Sequence, residues 1–160
     1  MAHDISERKE PEEKLREFSL ADGLTGLNNR RGFKTLADQL IHAARRMRLN
    51  AIMFSIDLDG LKGINDNMGH AAGDRALVET GELLKKSFRS PDIVARLGGD
   101  EFVVPAIESA DSSDRSMQAR LEERLQSQNA RPGRAYPLSL SIGTARCEWE
   151  NPVLDRIASR

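Results

Sequence analysis

The chain has 160 residues, 39% of them apolar and 31% charged, with 24 Lys and Arg against 25 Asp and Glu and a net charge of −1. That length suits one α/β-sized domain with its own core plus some flanking chain. The charge balance argues against a general nucleic-acid polymer or membrane-surface binder, and the single cysteine, Cys147, excludes an internal disulfide or a cysteine-rich zinc site. No apolar run approaches the ~20 residues that span a bilayer. The lone cysteine makes a reducing cytoplasmic setting the expectation; residues 1–20 are charged, with no apolar signal segment, and the parent protein could itself be membrane-attached.

Residues 1–20 alternate in charge from Glu7 to Glu17, with a thin apolar stripe of Leu15 and Phe18. They read as a helix that is either a linker or one strand of a coiled coil. The stretch Ala21–Arg31 (ADGLTGLNNRR) is rich in Gly, Asn and Asp and is expected to be a loop, with Asn28 or Asn29 capping the next helix. Phe33, Leu36, Ala37, Leu40, Ile41 and Ala44 then recur at helical spacing over 30–46. Arg30 and Arg31 open that helix where the dipole disfavours cations, which suggests another purpose or an ordinary surface pair.

Residues 51–59 (AIMFSIDLD) alternate as a strand, with Ile52, Phe54, Ile56 and Leu58 on one face and Met53, Ser55, Asp57 and Asp59 on the other. Asp57 follows an apolar run, so it is expected at the rim of a core, where an unpaired carboxylate is costly unless it meets a cation. Gly60–Gly73 reads as a polar connection to a helix over 71–89, whose stripe is Ala76, Leu77, Gly81, Leu84 and Phe88. Asp74 is expected in its first turn, where a carboxylate suits the dipole, and Asn65 equally as a turn residue. His70 has no metal-spaced Cys or His neighbour, so no zinc role is expected.

Ile93–Val104 holds two apolar runs joined by Gly98-Gly99 and followed at once by Asp100 and Glu101. This is a β-hairpin signature in which both glycines are expected at the turn's centre. Taken alone it is first an acidic, solvated turn; taken with Asp57 it is half of a site for a hard cation. A loop over 108–116, a helix over 115–128 with Met117, Leu121 and Leu125 inward, and a strand over 136–146 follow, with a short helix start at 153–160. Cys147 is expected as an apolar filler. The element order implies an α/β (α+β) fold with a mixed, mostly antiparallel sheet. Two carboxylate pairs on adjacent strands would suit Mg²⁺ and nucleotidyl transfer.

Five motifs in order resemble the GGDEF domains of the diguanylate cyclase family. They are Asp22–Arg31, Asp57-Leu-Asp-Gly-Leu-Lys-Gly-Ile-Asn65-Asp, Gly69-His70-Ala-Ala-Gly73-Asp74, Gly98-Gly-Asp-Glu-Phe102 and Ser141-Ile-Gly143. The resemblance implies a palm-like, ferredoxin-related fold, similar to nucleotide cyclase and polymerase palms, over 21–160. It implies condensation of two GTP into cyclic di-GMP with release of pyrophosphate by two facing copies of the domain. By the same resemblance Asp57, Asp100 and the Leu58 carbonyl hold Mg²⁺ (or Mn²⁺), and Asn65 and Asp74 read guanine. His70 borders the nucleotide and Lys62 approaches phosphate. Gly98 and Gly99 let the backbone pass the α-phosphate, and Asp100, with Glu101, helps deprotonate the 3′-hydroxyl.

Arg89-Ser90-Pro91-Asp92 resembles the family's RxxD site, which implies inhibition by bound cyclic di-GMP through Arg89 and Asp92. Asp4–Lys9 is similar to the exit of a PAS sensor domain, which implies a signalling helix over 1–20 and a larger signalling parent. Two departures stand out. Leu61 replaces a usual aromatic, and Ile157–Arg160 matches only the start of a terminal helix that in the family carries phosphate-binding Lys and Arg. A domain truncated there is expected to hold a triphosphate less well. The alternative is a non-catalytic module that binds GTP or cyclic di-GMP and controls an attached domain, such as an EAL-type phosphodiesterase. A purely structural dimerisation role would leave the carboxylates unexplained.

Overall fold

The computed structural model describes residues 19–89 and 93–148. Expectations placed on 1–18, Asp92 and 149–160 lie outside the described residues. The elements are α1 (Arg30–Arg46), β1 (Ala51–Leu58), α2 (Leu61–Met68), α3 (His70–Ser87), β2 (Ala95–Gly98), β3 (Glu101–Ile107), α4 (Asp114–Asn129) and β4 (Leu140–Cys147). The four strands form one sheet in the order β2-β3-β1-β4, and every neighbouring pair is antiparallel. This is the expected mixed α/β architecture. Among the described residues, no helix is long and apolar enough to cross a membrane.

Strand alternation divides the core between the two faces of the sheet. Ile52, Phe54, Ile56 and Leu58 of β1 join Phe102, Val104 and Ala106 of β3 in one cluster, completed by Ala76, Leu77 and Leu84 of α3, by Phe88 just after it, and by Met117 and Leu121 of α4. The intervening Ala51, Met53 and Val103 face the other way, under Phe33, Ala37 and Leu40 of α1, with Ala95 and Cys147. Cys147 is therefore the buried filler expected. Pro105 sits in a central strand, where a missing N–H is usually costly. Its carbonyl accepts from the Ile93 N–H, so its nitrogen faces the same side, beyond the first residue of β2.

Local chemistry sets the helix ends. The Asn29 side chain accepts from the Gly32 N–H and starts α1. Ser113 and Ser116 exchange side-chain and backbone hydrogen bonds in a capping box that starts α4 one residue earlier than expected. Three larger differences from the sequence reading have physical causes. The stretch 60–73 is not a polar connection: Leu61 and Ile64 lie one turn apart and pack on the main core, so the chain coils into α2 and breaks only at Gly69 (φ 88°). Because α3 begins at His70, Asp74 lies in its second turn rather than its first. The last strand begins at Leu140, not 136, because Asn129 captures both the N–H and C=O of Leu138 at 2.8 Å and withholds them from the sheet.

Phe54 is fully buried and meets Phe88 edge-on, with ring centroids 5.0 Å apart. Phe54→Ala is expected to cost about 3–5 kcal/mol in urea unfolding, whereas Ser55→Ala, on the exposed side of the same strand, is expected to stay within about 0.5 kcal/mol.

Candidate active site

The site forms where β1 ends beside the β2–β3 turn. The β1–β3 register places Asp57 opposite Glu101, and the Leu58 N–H donates to the Asp100 carbonyl at 3.0 Å. Asp57, the Leu58 backbone and Asp100 are thereby brought together from positions more than forty residues apart. Burial raises the Asp57 carboxyl above its ordinary value, and the nearby Asp100 and Asp59 carboxylates raise it further.

Asp59 does not join them as a pair partner. Its carboxylate accepts from Ser139 Oγ at 2.8 Å and from Ser141 Oγ at 2.6 Å, which ties it to the β4 end. Among the described residues, no group of three or more His, Cys, Asp or Glu is arranged to hold a metal. Two carboxylates and a backbone carbonyl remain. That donor set fits Mg²⁺, which takes one or two protein carboxylates and leaves its other positions to waters and substrate phosphates.

The hairpin turn differs from expectation in detail. Gly98 pairs with Glu101 at the end of a bulge, with φ 140°, so the turn's centre is Gly99 (φ 51°) and Asp100. A Cβ built at either glycine would meet nothing within 4 Å. Backbone conformation, not crowding, demands glycine here, and the space over the turn is open to a ligand.

One part of the site escaped the sequence reading. Arg96 donates from Nε and Nη2 to the Gly99 carbonyl at 3.0 and 2.8 Å, and from Nη1 to both Asp22 oxygens at 3.0 and 3.2 Å. Asp22 also accepts from the Thr25 N–H and hydroxyl at 2.9 and 2.7 Å. Burial alone would raise the Asp22 carboxyl, but the Thr25 hydrogen bonds and Arg96 outweigh it and hold the group below the ordinary carboxylate range. The loop before α1 thus grips the turn that carries Asp100. The one available signal was Asp22-Gly-Leu-Thr25, a spacing suited to a local side-chain turn; nothing local pointed to a partner 74 residues away.

The nucleotide-reading candidates lie on α2 and α3. Lys62 is exposed in the first turn of α2, His70 is the exposed first residue of α3, and Asp74 is exposed one turn on. Asn65 is half-buried and lies against Gly73, beside Asp74. No hydrogen bond or ion pair among the described residues joins Lys62, His70 or Asp74 to the hairpin. Arg89, at the far end of α3, lines a hollow of about 430 Å³ with Lys85, Phe88, Val94 and Gly26–Asn28. Arg30 and Arg31 line another, of about 470 Å³, with Lys34, Arg96 and Gly98.

Two stability predictions follow from these carboxyls. A folded-state value raised above the unfolded one means that ionised Asp57 destabilises the fold at neutral pH, a cost that disappears below about pH 4. Asp57→Asn should therefore raise the melting temperature at pH 7 in metal-free buffer, and Mg²⁺ should stabilise the wild type more than the variant. Asp22 has the opposite sign. Its stabilisation is present above its unfolded value and lost as pH falls through the lowered folded one. Asp22→Asn should cost about 1–2 kcal/mol at pH 7, and the gap to wild type in a pH series of thermal melts should narrow below about pH 4.

A sequence profile described as "Diguanylate cyclase, GGDEF domain" matches residues 19–158. The chain is 36% identical over 132 residues to the cyclic di-GMP phosphodiesterase NbdA of Pseudomonas aeruginosa, covering 82% of this chain and 17% of that protein. It is 36% identical over 107 residues to the diguanylate cyclase DgcP of Escherichia coli, covering 67% and 31%. The chain thus spans about a third or less of the length of these curated relatives. Among solved structures, a microbial GGDEF domain studied for its interaction with cyclic di-GMP superposes with a TM-score of 0.72 at 34% identity, covering 88% of each chain. With the profile match running from the Asp22 loop through the hairpin to β4 and beyond, the chain belongs to the GGDEF domain family of diguanylate cyclases.

Proposed function

We propose that this domain is a catalytic module condensing two GTP into cyclic di-GMP, one GTP held by each of two facing copies. The observation that carries the reading is the convergence of Asp57 and Asp100 at an open glycine turn, with Asp57 raised by burial and by its carboxylate neighbours. In the proposed step the 3′-hydroxyl oxygen of each GTP bonds to the α-phosphorus of the other. The bond to the β-phosphate breaks, and pyrophosphate leaves with that electron pair. Asp100, with Glu101 beside it, accepts the hydroxyl proton.

Asp57, Asp100 and the Leu58 carbonyl would hold Mg²⁺ or Mn²⁺, which supplies charge stabilisation at the reacting phosphate when bound. Gly98 and Gly99 leave the turn's backbone open to the α-phosphate. Lys62 lies toward the triphosphate and His70 borders the nucleotide. Asn65 and Asp74 take the guanine edge: a carboxylate accepts from N1–H and the exocyclic amine, while a carboxamide can serve O6 or N3. Arg89, with Asp92, forms the product-inhibition site, its guanidinium taking phosphate and guanine.

A second reading has one observation in its favour, the 36% identity to a phosphodiesterase of cyclic di-GMP. In it the domain binds nucleotide and regulates an attached domain without turning over. Incubation of the parent protein with GTP and Mg²⁺, followed by chromatography of the products, separates the two. Cyclic di-GMP is expected, and retained GTP binding with no product would leave only the regulatory reading. Asp100→Ala should lower turnover by about 10²-fold or more with an unchanged circular dichroism spectrum. Arg89→Ala should relieve inhibition by added cyclic di-GMP, read as product formed against inhibitor concentration, while the initial rate stays near wild type.

A further inference from the structure

The packing of α2 on α3 carries an inference about Gly73. Gly73 is buried within α3, where glycine costs roughly 1 kcal/mol relative to alanine. A Cβ at this position would stand 1.8 Å from Asn65 Oδ1 and 2.8 Å from Asn65 Cγ, well inside any real contact. The space that a side chain at 73 would fill is thus occupied by the Asn65 carboxamide. The other nearby atom, Leu61 Cδ1 at 3.3 Å, is also a side-chain end, so no backbone blocks a methyl group here.

The surroundings are fixed. The Ala72 and Gly73 N–H groups both donate to the Gly69 carbonyl, at 3.1 and 3.3 Å, and the Gly69 N–H donates to Asn65 O at 2.9 Å. Tyr136 Oη donates to the Ala72 carbonyl at 2.9 Å. These bonds tie the α2–α3 junction together. The Asn65 side chain, by contrast, makes no hydrogen bond to any described residue; packing alone sets its position, which leaves its donors and acceptor for a ligand.

We propose that Gly73 is a positioning residue for base selectivity: the missing side chain seats the Asn65 carboxamide beside Asp74, in the pose that reads guanine. This rests on the reading of Asn65 and Asp74 as the guanine-binding pair. The opposing requirement, that α3 be a good helix, would favour alanine at 73, and the seat for Asn65 overrides it.

The test compares wild type, Gly73→Ala, Asn65→Ala and the double variant for binding of fluorescent, non-hydrolysable GTP and ATP analogues. Gly73→Ala is expected to weaken GTP-analogue binding about tenfold, the loss of roughly one hydrogen bond, and to leave ATP-analogue binding within twofold. Asn65→Ala should show a similar loss. Adding Gly73→Ala to it should cost nothing more, because the truncated side chain vacates the space. In the nucleotide-free protein, Gly73→Ala should shift the Asn65 side-chain amide resonances while most backbone amides stay in place. Unchanged GTP affinity and selectivity in Gly73→Ala would overturn the proposal, as would an equal loss in the Asn65→Ala background. A wild-type chain with no preference for guanine would instead overturn the assignment of Asn65 and Asp74, and this role with it.

Discussion

The antiparallel register of β1 with β3 is the constraint on which the rest depends. One ladder aligns Asp57 with Glu101, and one hydrogen bond, from the Leu58 N–H to the Asp100 carbonyl, ties the end of β1 to the turn. A slip of one residue would turn Asp57 and its neighbours to the opposite face and bury a carboxylate where Ile56 now lies. The register is held at the site end of β1, where buried Ile56 and Leu58 alternate with exposed Ser55 and Asp57, so that a slip would exchange core and surface residues. Phe54, Ile56, Phe102 and Val104 fill one side, and Met53 and Val103 the other. The site inherits its geometry from the core.

The same place concentrates unfavourable charge. Asp57 is pushed up by burial and by Asp100 and Asp59, so the fold carries a local electrostatic cost that a bound cation would remove. Asp59 is itself bonded to Ser139 and Ser141 at the β4 end. The turn is stiffened from below by Arg96, whose guanidinium spans the Gly99 carbonyl and the Asp22 carboxylate. That bridge connects the chain entering α1 to the residue adjoining Asp100.

Much of this was legible along the chain. The bounds of α1 and the two faces of β1 followed from periodicity, because both elements bury a regular stripe. The inner residues of α4 followed in the same way. The carboxylates stood out because Asp57 ends an apolar run and Asp100 follows two glycines. Errors fell where a backbone group was claimed by a side chain or a short helix was hidden by its polar composition. Asn129 holding Leu138 shortened β4, and Leu61 with Ile64 drew α2 out of a stretch that otherwise reads as loop. Neither contact has a local periodic signature.

The family, the alternation that splits the core and the identity of the chemical groups can all be read along the chain. Those follow from residue type and short-range spacing, which need no knowledge of the fold. Folding alone brings Asp57 to Asp100, Asp59 to Ser139 and Ser141, Arg96 to Asp22, and Asn65 into the space left open by Gly73. Each of these is a contact between elements. Its existence depends on strand register and helix packing, which are set by the whole core rather than by any one segment.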